Sequence, residues 1–233
     1  MAARPILRLG VLISGRGTNL QSIIDAIERG ELNAIIALVI SNRADAPGLA
    51  RAQKSGIPTR VIDHRRFGSR AEFDGALVEA LNAARVELVV CAGFMRLLSP
   101  VILNAFPNRI MNIHPSLLPA FPGLNAQKAA LEHGARITGC SVFFVTPGVD
   151  DGPIIVQAAV PVMPDDDEHS LSDRILAQEH RIYPLAIRLF QEGRLEIAGR
   201  KVIIRDAPAP DENEALLNPP RTALDIPRSG RNN

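Results

Sequence analysis

Along the first half of the chain, short apolar runs alternate with longer segments of helical period. The apolar runs fall at 7–14, 34–40, 59–62, 88–91 and 109–113; the helical patterns fall at 18–29, 47–54, 70–84 and near 99–105. Strand, helix, strand, helix at these spacings implies right-handed crossovers and a mostly parallel twisted sheet with helices on both faces. The first half is thus expected to be a doubly wound α/β layer.

The second half reads differently. Segment 124–133 has a helical pattern, while 138–145 and 154–162 are extended, β-branched stretches around the short connection 146–153. A connection that short predicts an antiparallel pair. A long helical pattern occupies 168–192, preceded by Asp165, Asp166 and Asp167, and Tyr183-Pro184 inside it predicts a kink. Segment 195–205 fits a closing hairpin with Ala198-Gly199 near its turn. From Ala207 onward Pro208, Pro210, Pro219, Pro220 and Pro227 stand among Asp, Asn and Arg, so 207–233 is expected to be an extended tail attached to a domain of residues 1–206.

Composition narrows the function classes. The 233 residues are 46% hydrophobic and 22% charged, enough for a sizeable core. Lys and Arg total 26 against 25 Asp and Glu, so no net field holds nucleic acid or an anionic membrane, and neither partner is expected. Cys91 and Cys140 lie in apolar runs with no C-x-x-C pairing and read as buried thiols of a reducing compartment. The opening Met-Ala-Ala-Arg-Pro lacks a signal-peptide core, and no run of about 18 apolar residues offers a membrane span, so a cytoplasmic protein is expected.

The candidate chemistry centres on Arg109 to Pro119. Alternation along a strand puts Asn112 and His114 on one side and Ile113 in the packing on the other, and Pro115 should end the strand. Both polar groups then stand at a C-terminal sheet edge, where open α/β sheets bind ligands. A core histidine near a strand end is the plainer reading for a lone His. Gly15 and Gly17, between the first strand and first helix, let the backbone approach an anion, with the N–H groups of Gly17, Thr18 and Asn19 at the helix's positive end. This suits a monophosphate; the plainer reading is a glycine turn with a Thr18 cap. Leu20 excludes a dinucleotide fingerprint, and no Gly-Lys-Ser or Gly-Lys-Thr follows to make a P-loop.

Asp150 or Asp151, in the turn Thr146 to Pro153, could face the same edge and favour an imidazolium at His114, the other facing water. The stretch Ala92 to Leu98, with Met95, Arg96, Leu97 and Leu98, suits a planar heteroaromatic ligand or, equally, plain core. Glu179 could accept ribose hydroxyl protons, against the alternative of a solvated helix face. The acidic run ending in His169 is read as helix-dipole complement rather than a metal site, and no metal is expected.

Taken together, Ile13 to Leu20, Ala92 to Arg96, Asn112 to Pro119, Pro122-Gly123 and Asp150 to Pro153 resemble, in order and spacing, the phosphoribosylglycinamide formyltransferase family of purine biosynthesis over roughly residues 7 to 200. The resemblance implies a Rossmann-like formyltransferase fold with an antiparallel C-terminal strand portion. It also implies 10-formyltetrahydrofolate as one-carbon donor and the amine of 5-phosphoribosyl-glycinamide (GAR) as acceptor, with no metal. Residues 1–108 would form a phosphate-binding half and 109–206 a folate-binding and catalytic half, in a monomer or homodimer.

By motif, Asn112, His114 and Asp150 become the catalytic trio, Gly17, Thr18 and Asn19 hold the phosphate, and Glu179 holds the ribose. Arg70, Met95, Arg96, Leu97, Leu98, Asn112, and Thr146, Pro147, Gly148, Val149 and Asp150 line the folate side. Arg16 stands where Asn is frequent in the family, Asn125 where His is common, and Leu176 where a Gln can assist. Related readings are a methionyl-tRNA formyltransferase, which would carry a further RNA-binding domain, and a formyltetrahydrofolate hydrolase, which would carry a regulatory domain ahead of the first strand. A catalytically silent nucleotide-binding module is the non-enzymatic alternative.

Overall fold

A computed structural model of the chain describes residues 5–207, so the expected tail, apart from Ala207, lies outside the described residues. In the first half β1 (Leu7–Ile13), β2 (Ala34–Ser41), β3 (Thr59–Val61), β4 (Leu88–Cys91) and β5 (Ile110–His114) alternate with α1 (Thr18–Glu28), α2 (Gly48–Lys54), α3 (Arg70–Ala83) and α4 (Pro100–Ala105). Then follow α5 (Ala126–Glu132), β6 (Ile137–Phe144), β7 (Ile154–Pro161), α6 (Glu168–Gln191), β8 (Leu195–Ala198) and β9 (Lys201–Ile204). The strands form one nine-stranded sheet in the order β3-β2-β1-β4-β5-β6-β7-β9-β8.

From β3 to β5 every pairing is parallel. β6 pairs antiparallel with β5, and also with β7 as the short 146–153 connection requires. β9 meets β7 parallel through one pairing, Ile154 with Lys201, and β8 pairs antiparallel with β9 around a turn that holds Gly199 at φ 62°.

Alternation along β1 sorts two cores. Leu9, Val11 and Ile13 face the layer that includes Leu20, Ile23, Leu171 and Tyr183, while Leu12 faces the layer of Phe73, Leu77, Leu81, Ile102 and Phe106. The sheet is therefore covered on both faces, and each fully buried Leu or Ile contributes about 1.5–3 kcal/mol of transfer free energy. Gly10 faces the second layer because a Cβ there would lie 2.4 Å from Leu81 Cδ2.

A buried polar contact helps fix α6 against the sheet. The fully buried Tyr183 hydroxyl lies 3.0 Å from both the Cys91 and the Met111 carbonyl oxygens, so one proton is shared between β4 and β5. Pro184 follows inside α6, and the helix continues to Gln191. Its start is a capping box in which Asp167 accepts from the Ser170 N–H at 2.7 Å, and Asp166 pairs with Arg174. The acidic run thus has helix-capping work, and among the described residues no cluster of His, Cys, Asp and Glu could hold a metal ion. No helix of the described residues is long and apolar enough to cross a membrane.

Two local expectations are corrected. The helix expected over 124–133 starts only at Ala126, because Asn125 takes a left-handed φ of 60° at the N-cap and Leu124 stands exposed. At α1 the N-cap is Gly17, φ 70°, and Thr18 is already helical and makes no side-chain cap.

Candidate active site

β1 lies between β2 and β4, so the chain leaves β1 in one direction and returns beyond it in the other. This is the topological switch point of a doubly wound sheet, where the loops after β1 and β4 part and leave a crevice. A cavity of about 320 Å³ lies there, lined by Gly15, Arg16, Gly17, Thr18 and Asn19 from the first loop and by Gly93 and Met95 from the second.

The glycine loop is shaped by close packing. A Cβ on Gly17 would lie 2.7 Å from the Gly48 Cα, one on Gly48 would lie 2.7 Å from Ile13 Cδ1, and the Gly48 N–H donates to the Gly15 carbonyl at 3.0 Å. Among the described residues the first α1 N–H to find a carbonyl is that of Gln21, bonded to Gly17 O at 3.0 Å, so those of Thr18 and Asn19 are open to a ligand. Gly48, at the start of α2, was not singled out from the sequence. Its mark there is only a glycine at a helix start.

α6 supplies the facing wall with Ser172, Leu176 and Glu179, spaced four and three apart on one helix face. That spacing was the available signal for Ser172 and its neighbour Asp173, which sequence reasoning did not select. Glu179 is buried and accepts from Asn19 Nδ2 at 2.7 Å, which excludes the solvated-face alternative. Burial pushes its carboxyl above the ordinary range, opposed by the Asn19 hydrogen bond and the His114 charge. The Asn19 side-chain oxygen Oδ1 is buried without a hydrogen-bond partner.

His114 closes β5, paired with Ser141 across the sheet. Its Nε2 lies 2.8 Å from the Phe121 carbonyl oxygen, so Nε2 carries a proton and donates. Nδ1 then faces Asp150 Oδ2 at 3.4 Å. Asp150 is itself placed by the Gly123 N–H, which donates to Oδ2 at 2.8 Å, and by a left-handed φ of 48°. Asp151 turns outward onto Arg200, Oδ1 to Nη2 at 2.7 Å. Asn112 shares the His114 side of β5, is half-buried, and its side-chain amide makes no hydrogen bond with the described residues.

Ile113 is buried, but it also lines the glycine-loop cavity with Pro115, in place of pointing only into packing. The cavity therefore lies on the α6 face of β5 and does not include Asn112, His114 or Asp150 in its lining. The site straddles the strand end, with the glycine-loop recess on one face and the His114–Asp150 pair on the other.

Beyond that pair, Met95 (67%), Leu97 (57%) and Val149 (50%) are exposed, so these apolar side chains are not core. Phe94 is core and Leu98 packs partly against it. Pro147 and Gly148 are exposed and Thr146 half-buried in the turn that ends at Asp150. Arg70 and Arg96 are exposed and both act electrostatically on buried Asp74. Burial pushes the Cys91 and Cys140 thiols up to about 12, so neither is a nucleophile.

A doubly wound α/β sheet with a glycine loop at its switch point and a His–Asp pair at the next strand end is the frame of a small-molecule α/β enzyme, with both cysteines buried away from the site. The Formyl transferase family pattern matches residues 7–187, and the chain belongs to that family. It is 46% identical over 191 residues to the phosphoribosylglycinamide formyltransferase of Escherichia coli (strain K12), covering 82% of this chain and 90% of that one. It is 51% identical over 197 residues to the trifunctional purine biosynthetic protein adenosine-3 of Drosophila pseudoobscura pseudoobscura, where the match takes in 84% of this chain but spans only 14% of that protein. Among solved structures it resembles glycinamide ribonucleotide transformylase 1 from Symbiobacterium toebii, with TM-score 0.85, 59% identity, and 86% and 95% of the two chains covered.

Proposed function

We propose that the protein transfers the formyl group of 10-formyltetrahydrofolate to the amine of 5-phosphoribosyl-glycinamide, giving formylated product and tetrahydrofolate in the cytoplasm. The observation that carries this reading is the His114–Asp150 pair, 3.4 Å apart, set between a glycine-loop recess and an exposed apolar wall. The likeness to a formyltransferase of which 90% is covered supports the same acceptor.

The free N–H groups of Thr18 and Asn19 hold the phosphate at the positive end of α1, and Glu179 accepts from the ribose hydroxyls. Met95, Leu97, Leu98 and the 146–149 turn hold the folate ring system against apolar surface, with Arg70 and Arg96 available to its carboxylates. The amine attacks the formyl carbon, so negative charge grows on the formyl oxygen and positive charge on the amine nitrogen. The unfilled Asn112 amide and His114 Nδ1–H donate to that oxygen, each such donor being worth about 3 kcal/mol.

The Phe121 carbonyl keeps the ring from rotating, which leaves Nδ1 as the working nitrogen. Asp150, paired with His114, moves the proton through water from the incoming amine to the departing folate nitrogen. One C–N bond forms, one breaks, and no enzyme-bound intermediate is required.

The test is folate product formation with three acceptors: phosphoribosyl-glycinamide, water alone and charged initiator tRNA. Turnover is expected only with the first. Equal turnover in water alone would make the protein a hydrolase, and tRNA formylation would overturn the acceptor.

A further inference from the structure

Residues 92–99, which carry the exposed Met95 and Leu97, are held from beneath by buried polar groups that sequence reasoning did not connect with the site. At the near end the Met95 N–H donates to Ser14 Oγ at 2.9 Å, and the Ser14 N–H donates to the Gly93 carbonyl at 3.0 Å. Ser14 is oriented in turn: its hydroxyl donates to Asn42 Oδ1 at 2.7 Å, and Asn42 Nδ2 donates to His64 Nδ1 at 3.2 Å. The relay thus crosses the ends of β4, β1 and β2 and finishes just past β3. Phe94 reinforces it by stacking on Phe73, with ring centroids 6.4 Å apart and planes 13° apart.

At the far end the Ser99 N–H donates to Asp74 Oδ2, on α3. Asp74 is completely buried, and among the described residues neither its other oxygen, Oδ1, nor the buried Ser99 hydroxyl near it has a hydrogen-bond partner. A carboxyl buried with half its capacity unused is costly, and an apolar residue would serve packing better. Holding the Ser99 amide is the work that explains it.

Resting on the folate reading above, we propose that Asn42 and Asp74 are positioning residues that clamp the 92–99 loop at both ends, so that its apolar wall is formed before folate arrives. A wall already in place spares the ordering cost that a free loop would bring to binding. The clamp therefore acts first on folate affinity; at its near end Ser14, Gly93 and Met95 also line the glycine-loop recess, whereas Asp74 and Ser99 at the far end do not.

Kinetics of the full chain test this with both substrates varied. Asp74→Ala leaves the Ser99 N–H without an acceptor, and Asn42→Ala removes the oxygen that orients Ser14. Each is expected to raise KM for 10-formyltetrahydrofolate about tenfold, one buried hydrogen bond's worth; in Asp74→Ala, whose end of the loop does not line the recess, KM for phosphoribosyl-glycinamide is expected to change less than about twofold. Asp74→Asn keeps an oxygen opposite Ser99 and is expected to restore folate KM to within about threefold of the parent. Amide hydrogen exchange without ligand is expected to accelerate at Ser99 in Asp74→Ala and at Met95 in Asn42→Ala.

Unchanged exchange, or both KM values rising together in Asp74→Ala, overturns the clamp, as does a loss of thermal stability with folate KM untouched. Because exchange is read without folate, a parent protein that ignores folate marks a failure of the reading beneath and not of the clamp.

Discussion

Around the end of β1 the polar groups offered to a ligand are main-chain N–H groups of a helix start, whereas around the end of β5 they are side chains, the Asn112 amide and the His114–Asp150 pair. The first region is shaped by glycines that no Cβ could replace, the second by carbonyl and N–H groups of the 115–125 loop that aim an imidazole and a carboxylate. Backbone donors have a fixed direction and charge, which suits holding an anion that does not change during reaction. Side chains can change protonation state, which suits atoms whose charge does change.

If that division is right, the largest effect belongs to the second region. His114→Ala and Asp150→Asn are each expected to lower kcat about a thousandfold while leaving KM for the phosphorylated substrate nearly unchanged. A melting curve within a few degrees of the parent would show the loss to be chemical. Near-normal turnover in either variant would break the comparison outright.

Gly17→Ala probes the first region. The new Cβ meets the Gly48 Cα at 2.7 Å and sits at a φ of 70°, so the loop must shift or carry about 1–2 kcal/mol of strain. KM for phosphoribosyl-glycinamide is expected to rise about thirtyfold with folate KM little changed. Were both to rise equally, the two regions would not be separable.

Glu179→Gln gives the smallest change and the most informative sign. The folded carboxyl is raised by burial, so between its ordinary value and its folded one the folded chain keeps a proton that the unfolded chain has released. Stability from this group is therefore present at low pH and lost as pH rises through that window. Glu179→Gln is expected to remove the loss, giving a melting temperature above the parent's at pH 7 and close to it at pH 4. The same variant weakens the ribose contact, with KM for the acceptor up about tenfold. A melting temperature below the parent's at pH 7 would show that the buried charge is compensated by partners beyond Asn19.

Much of this was readable in the chain because local rules and tertiary outcome agreed. The alternation of apolar runs and helical periods through residue 113 led to a parallel layer with helices on both faces, and the 146–153 turn led to the antiparallel β6–β7 pair. Asn112 and His114 stood out from strand alternation and a following proline, whereas turn chemistry left Asp150 and Asp151 open and only the family resemblance singled out Asp150. Asp74, Asn42 and Ser14 did not stand out, because their importance lies in which amides they meet across the fold. Leu124 and Asn125 misled the helix start because the left-handed conformation of Asn125 leaves no mark in hydrophobic period.

By itself the amino-acid order determined the elements, the glycine turn and the residue types able to move a proton, since those follow from local sterics and spacing. Only the tertiary structure decided that the recess and the His–Asp pair lie on opposite faces of one strand end, that Asp150 and not Asp151 meets the imidazole, and that Glu179 is buried. The physical reason is distance along the chain. Asn19 and Glu179 are 160 residues apart and are brought within 2.7 Å only when the β1–α1 turn and α6 pack on the same face of the sheet.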